Sequence, residues 1–97
     1  MSNPKWTFFS NHGHVYFLIA LRDGEITVRE IAQKVGITER TVQGIIQDLE
    51  EGDYIEKQKQ GRSNLYKVVS GKTLRHSLEK NIQLNELTEI IRRGQGK

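Results

Sequence analysis

The chain has 97 residues, 35% hydrophobic and 28% charged, with a formal net charge of +3 and no cysteine. That length suits one small domain, and the missing thiols exclude disulfide scaffolds, thiolate zinc sites and cysteine nucleophiles. The longest apolar run, Val15 to Leu21, is too short to span a bilayer, and no leader pattern stands at the N-terminus, so a cytoplasmic protein is expected.

Met1 to Lys5 reads as a loose end, followed by the aromatic cluster Trp6, Phe8 and Phe9. Asn11 is placed to cap a first helix whose apolar stripe is Val15, Leu18 and Ile19, broadened by Phe17 and Leu21. Arg22-Asp23-Gly24 ends it, and Glu25-Ile26-Thr27 could form a short strand. Thr27, with Glu30 three residues on, matches a capping box for a second helix. Val28, Ile31, Ala32 and Val35 give that helix its apolar face, and Gly36 stops it. Thr38 caps a third helix with the stripe Val42, Ile45, Ile46 and Leu49, closed by Gly52. So short a link between the second and third helices forces a sharp angle between them. Ala32 stands where they cross, and Gly36 supplies the positive φ the turn needs.

The period then changes. Tyr54 to Lys59 and Leu65 to Val69 read as two strands of a hairpin, joined by Gln60-Gly61-Arg62-Ser63-Asn64. Leu84, Leu87, Ile90 and Ile91 mark a terminal amphipathic helix over about 81–93, ending near Gly94. The expected domain is thus 1–97, with its core at about 11–69: mainly α, with a small β-hairpin. Charge divides along the chain. Residues 1–53 carry five Lys/Arg and eight Asp/Glu, and residues 54–97 carry ten and four. Lys57, Lys59, Arg62, Lys67 and Lys72 fall in a stretch without an acid, a patch able to meet phosphate or simply a solvated hairpin face.

Helix, short strand, helix, tight turn, helix, basic hairpin and terminal helix follow the layout of a winged helix-turn-helix domain. The stretch REIAQKVGITERTVQGIIQDLEEGDYIEKQKQGRSNLYKV resembles the core of small winged helix-turn-helix transcriptional regulators, in the broad MarR/ArsR-like group, over about residues 11–69. The flanking WTFFSNHGHV and LRHSLE resemble a subset of them. The resemblance implies a DNA-binding regulator, usually a dimer.

With its stripe turned inward, the third helix shows Thr38, Glu39, Arg40, Thr41, Gln43, Gly44 and Gln47 outward. Residues near the start of a recognition helix read base edges. Arg40 can donate twice to guanine and Gln43 can pair with adenine. Thr38 and Thr41 suit phosphate or a thymine methyl, and Glu39 suits cytosine N4 or the helix N-terminus. Gly44 costs a helix about 1 kcal/mol against alanine. Two reasons for it are weighed equally: close approach to DNA, or to another helix of the chain. Asp48, Glu50, Glu51 and Asp53 would repel phosphate, so the N-terminal end is expected to enter the groove. In the hairpin, Lys57 and Lys59 share one face and suit phosphate contact, with Ser63 and Asn64 near the tip. The resemblance assigns Arg62 to the minor groove, although Gln60 stands where many such wings carry aspartate.

His12 and His14, two apart on a helix, do not face each other, and His76 is distant, so no metal site is expected. No nucleophile motif, P-loop or dinucleotide fingerprint is present; neither an enzyme nor a cofactor is expected. A large effector cavity within one monomer is not expected, while a pocket between subunits stays open. A core this small is marginal alone. Leu84, Leu87, Ile90, Ile91 and Trp6 are therefore read as homodimer contacts, the alternative being that the four helix residues cover the monomer core. The resulting expectation is a dimeric repressor of transcription on double-stranded DNA. A winged-helix module that binds protein, and nonspecific nucleic-acid binding, stand as alternatives.

Overall fold

The computed structural model describes residues 5–60 and 63–96; for residues 59, 60, 63 and 64 it describes the backbone alone. The chain runs α1 (Asn11–Leu21), α2 (Val28–Val35), α3 (Glu39–Glu51), β1 (Ile55–Gln60), β2 (Ser63–Val68) and α4 (Leu84–Gln95).

α1 is apolar on nearly every face, which makes it the central buried helix. Val15, Tyr16, Phe17, Ile19 and Ala20 are buried, whereas Leu18 and Leu21 of the expected stripe are only half-buried. Asn11 does not cap it. Ser10 occupies the cap position, without a side-chain hydrogen bond, and Asn11 is already helical. Past the helix, Gly24 adopts φ 80° and its amide donates to the Ile19 carbonyl at 2.9 Å. A Cβ there would collide with the Tyr66 carbonyl oxygen, so both conformation and close approach demand glycine.

The expected strand at Glu25-Ile26-Thr27 does not form; among the described residues the named strands make one two-stranded sheet. Between Gly24, pressed on β2, and Thr27, which caps α2, too little chain remains to build a ladder. Ile26 is buried in the core without one.

Thr27 and Glu30 form the expected capping box. The Glu30 amide donates to the Thr27 hydroxyl at 3.1 Å, and the Thr27 amide to the Glu30 carboxylate at 3.2 Å. Gly36 ends α2 at φ 85°, donating to the Ala32 carbonyl at 2.8 Å. The Thr41 amide donates to Thr38, which caps α3, and Val42, Ile45, Ile46 and Leu49 are buried. The core joins these residues to Ile31 and Ala32 of α2, Ile55 and Tyr66 of the hairpin, and Leu84 of α4.

The antiparallel register runs from Ile55 opposite Val68 to Gln60 opposite Ser63. The ladder therefore extends into the segment expected as a five-residue loop. Beyond β2, Thr73 bridges Gln83, the Leu74 amide donates to the Ile82 carbonyl at 3.0 Å, and the Leu84 amide to Lys72 at 2.9 Å. These bonds pin an irregular segment across the molecule before α4.

α4 starts later than expected and runs through Gly94 to Gln95. It docks on α1, where the Arg92 guanidinium donates to the Ala20 and Leu21 carbonyls at 3.4 Å each. A cation at exposed helix-end carbonyls is favourable both as a donor and against the helix dipole. Leu84 is buried, Leu87 and Ile91 are half-buried against the core, and Ile90 is 55% exposed. Among the described residues no helix is long and apolar enough to cross a membrane.

Candidate nucleic-acid interface

Burying one stripe of α3 leaves its other side in solvent. Thr38, Glu39, Arg40, Thr41, Gln43, Gly44 and Gln47 are all exposed. Arg40, Gln43, Gly44 and Gln47 stand at i, i+3, i+4 and i+7, so they form one continuous face. Among the described residues, Arg40 and Gln43 have no side-chain hydrogen bond or ion pair; their donors are available outward. Thr38 and Thr41 are partly engaged, their hydroxyls 2.9 Å apart. Gln47 donates to Glu51 at 3.3 Å and so leans toward the acidic end of the helix.

Gly44 is the informative position. Among the described residues, a Cβ added there would meet no atom within 4 Å beyond its chain neighbours and its own helix backbone. Packing against another helix of the same chain is therefore not its reason. Ala32, expected where α2 and α3 cross, is buried in the core.

The hairpin carries a second polar surface. Its register puts Lys57 across from Tyr66, on the same face as Ile55 and Val68. Ile55 and Tyr66 are buried while Lys57 is exposed, so this face is apolar at its base and turns cationic outward. Glu56 sits opposite Lys67 on the other face. The backbone register gives Lys59 the same parity as Lys57. The side chains of Lys59, Ser63 and Asn64, and Arg62 altogether, lie outside the described residues.

Several charged side chains are engaged elsewhere in the chain. Asp48 Oδ2 lies 2.8 Å from His12 Nε2 of α1. Arg22 reaches Glu30 at 3.7 Å, and Arg92 is held by α1 and by Glu89 at 3.4 Å. Sequence reasoning did not single out Arg29, which is exposed on α2 and without an ion-pair partner among the described residues. Its place on the helix preceding the one expected to read DNA was the available signal.

The terminal contacts divide. Trp6 is 69% and Phe8 92% exposed, their rings edge-on at 5.2 Å. Leu84, expected at a subunit contact, is enclosed by the chain's own core.

Contrary to expectation for so short a chain, a groove of about 1110 Å³ opens between α1, the C-terminal half of α3, the irregular segment and α4. Tyr16 and Tyr54 lie along it. Burial pushes the Tyr16 phenol above its ordinary 10.0, with Tyr54 adding to the shift. Among the described residues, no group of three or more His, Asp or Glu side chains could hold a metal ion.

The model of a family described as Domain of unknown function (DUF7343) matches residues 8–69. Among solved structures, the chain is similar to the zinc-dependent MarR family transcriptional regulator AdcR in its Zn(II)-bound state. The two share 18% sequence identity and a TM-score of 0.50, over 71% of this chain and 48% of that one. This chain thus matches about half the length of that regulator, and the likeness shows the fold: a winged helix-turn-helix. No curated protein matches.

Proposed function

The chain belongs to the DUF7343 family, and on that premise we propose that it is a sequence-specific double-stranded DNA-binding transcriptional regulator, acting as a dimeric repressor. The observation that carries this reading is Gly44: a glycine in mid-helix, facing open space, at the centre of an exposed polar face. A mid-helix glycine weakens α3 by about 1 kcal/mol, and among the described residues no contact compensates. Close approach of a second molecule accounts for it, and the neighbours Arg40 and Gln43 are suited to base edges.

The N-terminal half of α3 enters the major groove, with Arg40 donating to guanine and Gln43 to adenine. Thr38, Thr41, Glu39 and Gln47 flank these contacts, and Arg29 meets the phosphate backbone. Lys57 and Lys59 bind phosphate beside the groove, and Arg62 reads the minor groove from the tip, with Ser63 and Asn64 beside it. A homodimer forms across Trp6 and Ile90, flanked by Leu87 and Ile91, while Leu84 serves the monomer core. Repression follows from occupying the site against polymerase.

Selection from a random duplex library tests the reading, with the enriched sequences retitrated at two salt concentrations. An inverted repeat is expected, its spacing set by two recognition helices. Binding without enrichment points to nonspecific association. No duplex retained at low salt by folded protein contradicts DNA binding and leaves the protein-interaction alternative.

A further inference from the structure

The large groove lies away from the exposed face of α3, along the last turns of the same helix. Phe9, Phe17, Leu74, Ile82 and Leu87 give it apolar walls, and the rings of Tyr16 and Tyr54 add aromatic surface. Its charged lining is lopsided: Asp48, Glu51, Glu79 and Glu86 against Arg75 and His12, with Asp48 2.8 Å from His12 and Glu79 4.0 Å from His76. Among the described residues, Glu51 and Glu86 have no cationic partner within 4.0 Å. The aromatic surface already attracts cations, with Lys72 Nζ 5.1 Å and the Arg75 guanidinium 6.0 Å from the Tyr54 ring centroid.

We infer that this groove is a binding site for lipophilic organic cations, small molecules with a flat or ringed apolar body and a delocalised positive charge. The apolar walls remove the ligand's body from water, the aromatic faces attract its charge, and the acids lining the groove exclude anions of the same shape. The same acids argue against filling the groove with the groove of a second copy, because two acidic linings would face each other.

α3 supplies Asp48, Leu49, Glu51 and Gly52 to this site and Arg40 and Gln43 to its exposed face. A bound cation therefore touches the helix proposed to read DNA. That consequence rests on the DNA-binding reading; the site itself does not.

The test pairs two probes of like shape and opposite charge, tetraphenylphosphonium and tetraphenylborate, each titrated into the full chain. Trp6, the sole tryptophan, reports through its edge contact with Phe8, which lines the groove, and calorimetry gives the stoichiometry. Saturable binding of one phosphonium per chain is expected, about tenfold or more tighter than the borate. The variants Glu79→Gln and Glu86→Gln, checked for unchanged circular dichroism, bind the phosphonium several-fold more weakly. Equal binding of the two ions, tighter binding of the borate, or a phosphonium affinity indifferent to both variants overturns the inference. So does a dimer that takes up no phosphonium, which would mean a second copy fills the groove. None of these outcomes bears on duplex binding, which the library selection decides separately.

Discussion

His12 Nε2 and Asp48 Oδ2 lie 2.8 Å apart, tying the first turn of α1 to the rear half of α3. The pair holds two elements in register and occupies an acid that would otherwise stand free on α3. Both side chains are half or more exposed, so the tie guides orientation more than it adds stability. A double-mutant cycle of His12→Ala and Asp48→Ala is expected to give a coupling of about 0.2–1 kcal/mol that shrinks with added salt. Urea denaturation at two ionic strengths measures it.

Gly24 is held by two constraints at once, its φ of 80° and the Tyr66 carbonyl beside it. Gly24→Ala is expected to destabilise the chain by about 3 kcal/mol or more, or to prevent folding. A shift of the urea midpoint corresponding to less than about 1 kcal/mol would show that the α1–β2 contact yields easily.

The capping box at Thr27 satisfies an α2 amide that has no partner inside the helix. Thr27→Ala is expected to cost about 1 kcal/mol of stability. At a temperature where both proteins stay folded, it should leave duplex affinity unchanged, because Thr27 lies outside the proposed contacts. Thermal melts and anisotropy on the same samples separate the two effects.

Tyr16 and Tyr66 both hold their protons above the ordinary phenol value of 10.0, chiefly through burial, with Tyr54 and Glu50 respectively adding to it. The unfolded chain releases these protons first as pH rises. The stabilisation is therefore complete below 10.0 and is lost as pH climbs through the raised native values. Urea midpoints from about pH 8 to about pH 11 should fall, and fall less steeply in Tyr16→Phe. Parallel curves would remove Tyr16 from the alkaline transition.

Much of the helix-turn-helix was legible because its signals are local. A hydroxyl three residues before a carboxylate, as in Thr27 and Glu30, makes its hydrogen bonds within one turn. The stripe Val42, Ile45, Ile46 and Leu49 has one way to face inward. Gly36 had to take positive φ for the turn to close. α1 was harder, since a helix apolar on most faces does not say which residues end inside. Tyr16 and Ala20 were missed as core residues for that reason. The strand expected at Ile26 failed because Gly24 is fixed against Tyr66, a residue far away in sequence, and leaves too little chain before the Thr27 cap. The groove was illegible for the same cause: it depends on where the chain between Thr73 and Gln83 is pinned. At the candidate interface, sequence reasoning named the polar residues of α3. It could not decide between an inner and an outer reason for Gly44, because that turns on what surrounds a missing side chain.

Gly44 also supplies the most direct test of the account. Gly44→Ala meets no obstacle among the described residues and should stabilise α3 by about 1 kcal/mol. The deciding measurement is the affinity of that variant for the duplex recovered by selection, by anisotropy. A glycine kept for close approach to DNA predicts weakening by about tenfold, or about 1.4 kcal/mol, in a protein that has become more stable. Unchanged or tighter binding would mean that the centre of this face does not meet the groove, and would contradict α3 as the recognition helix.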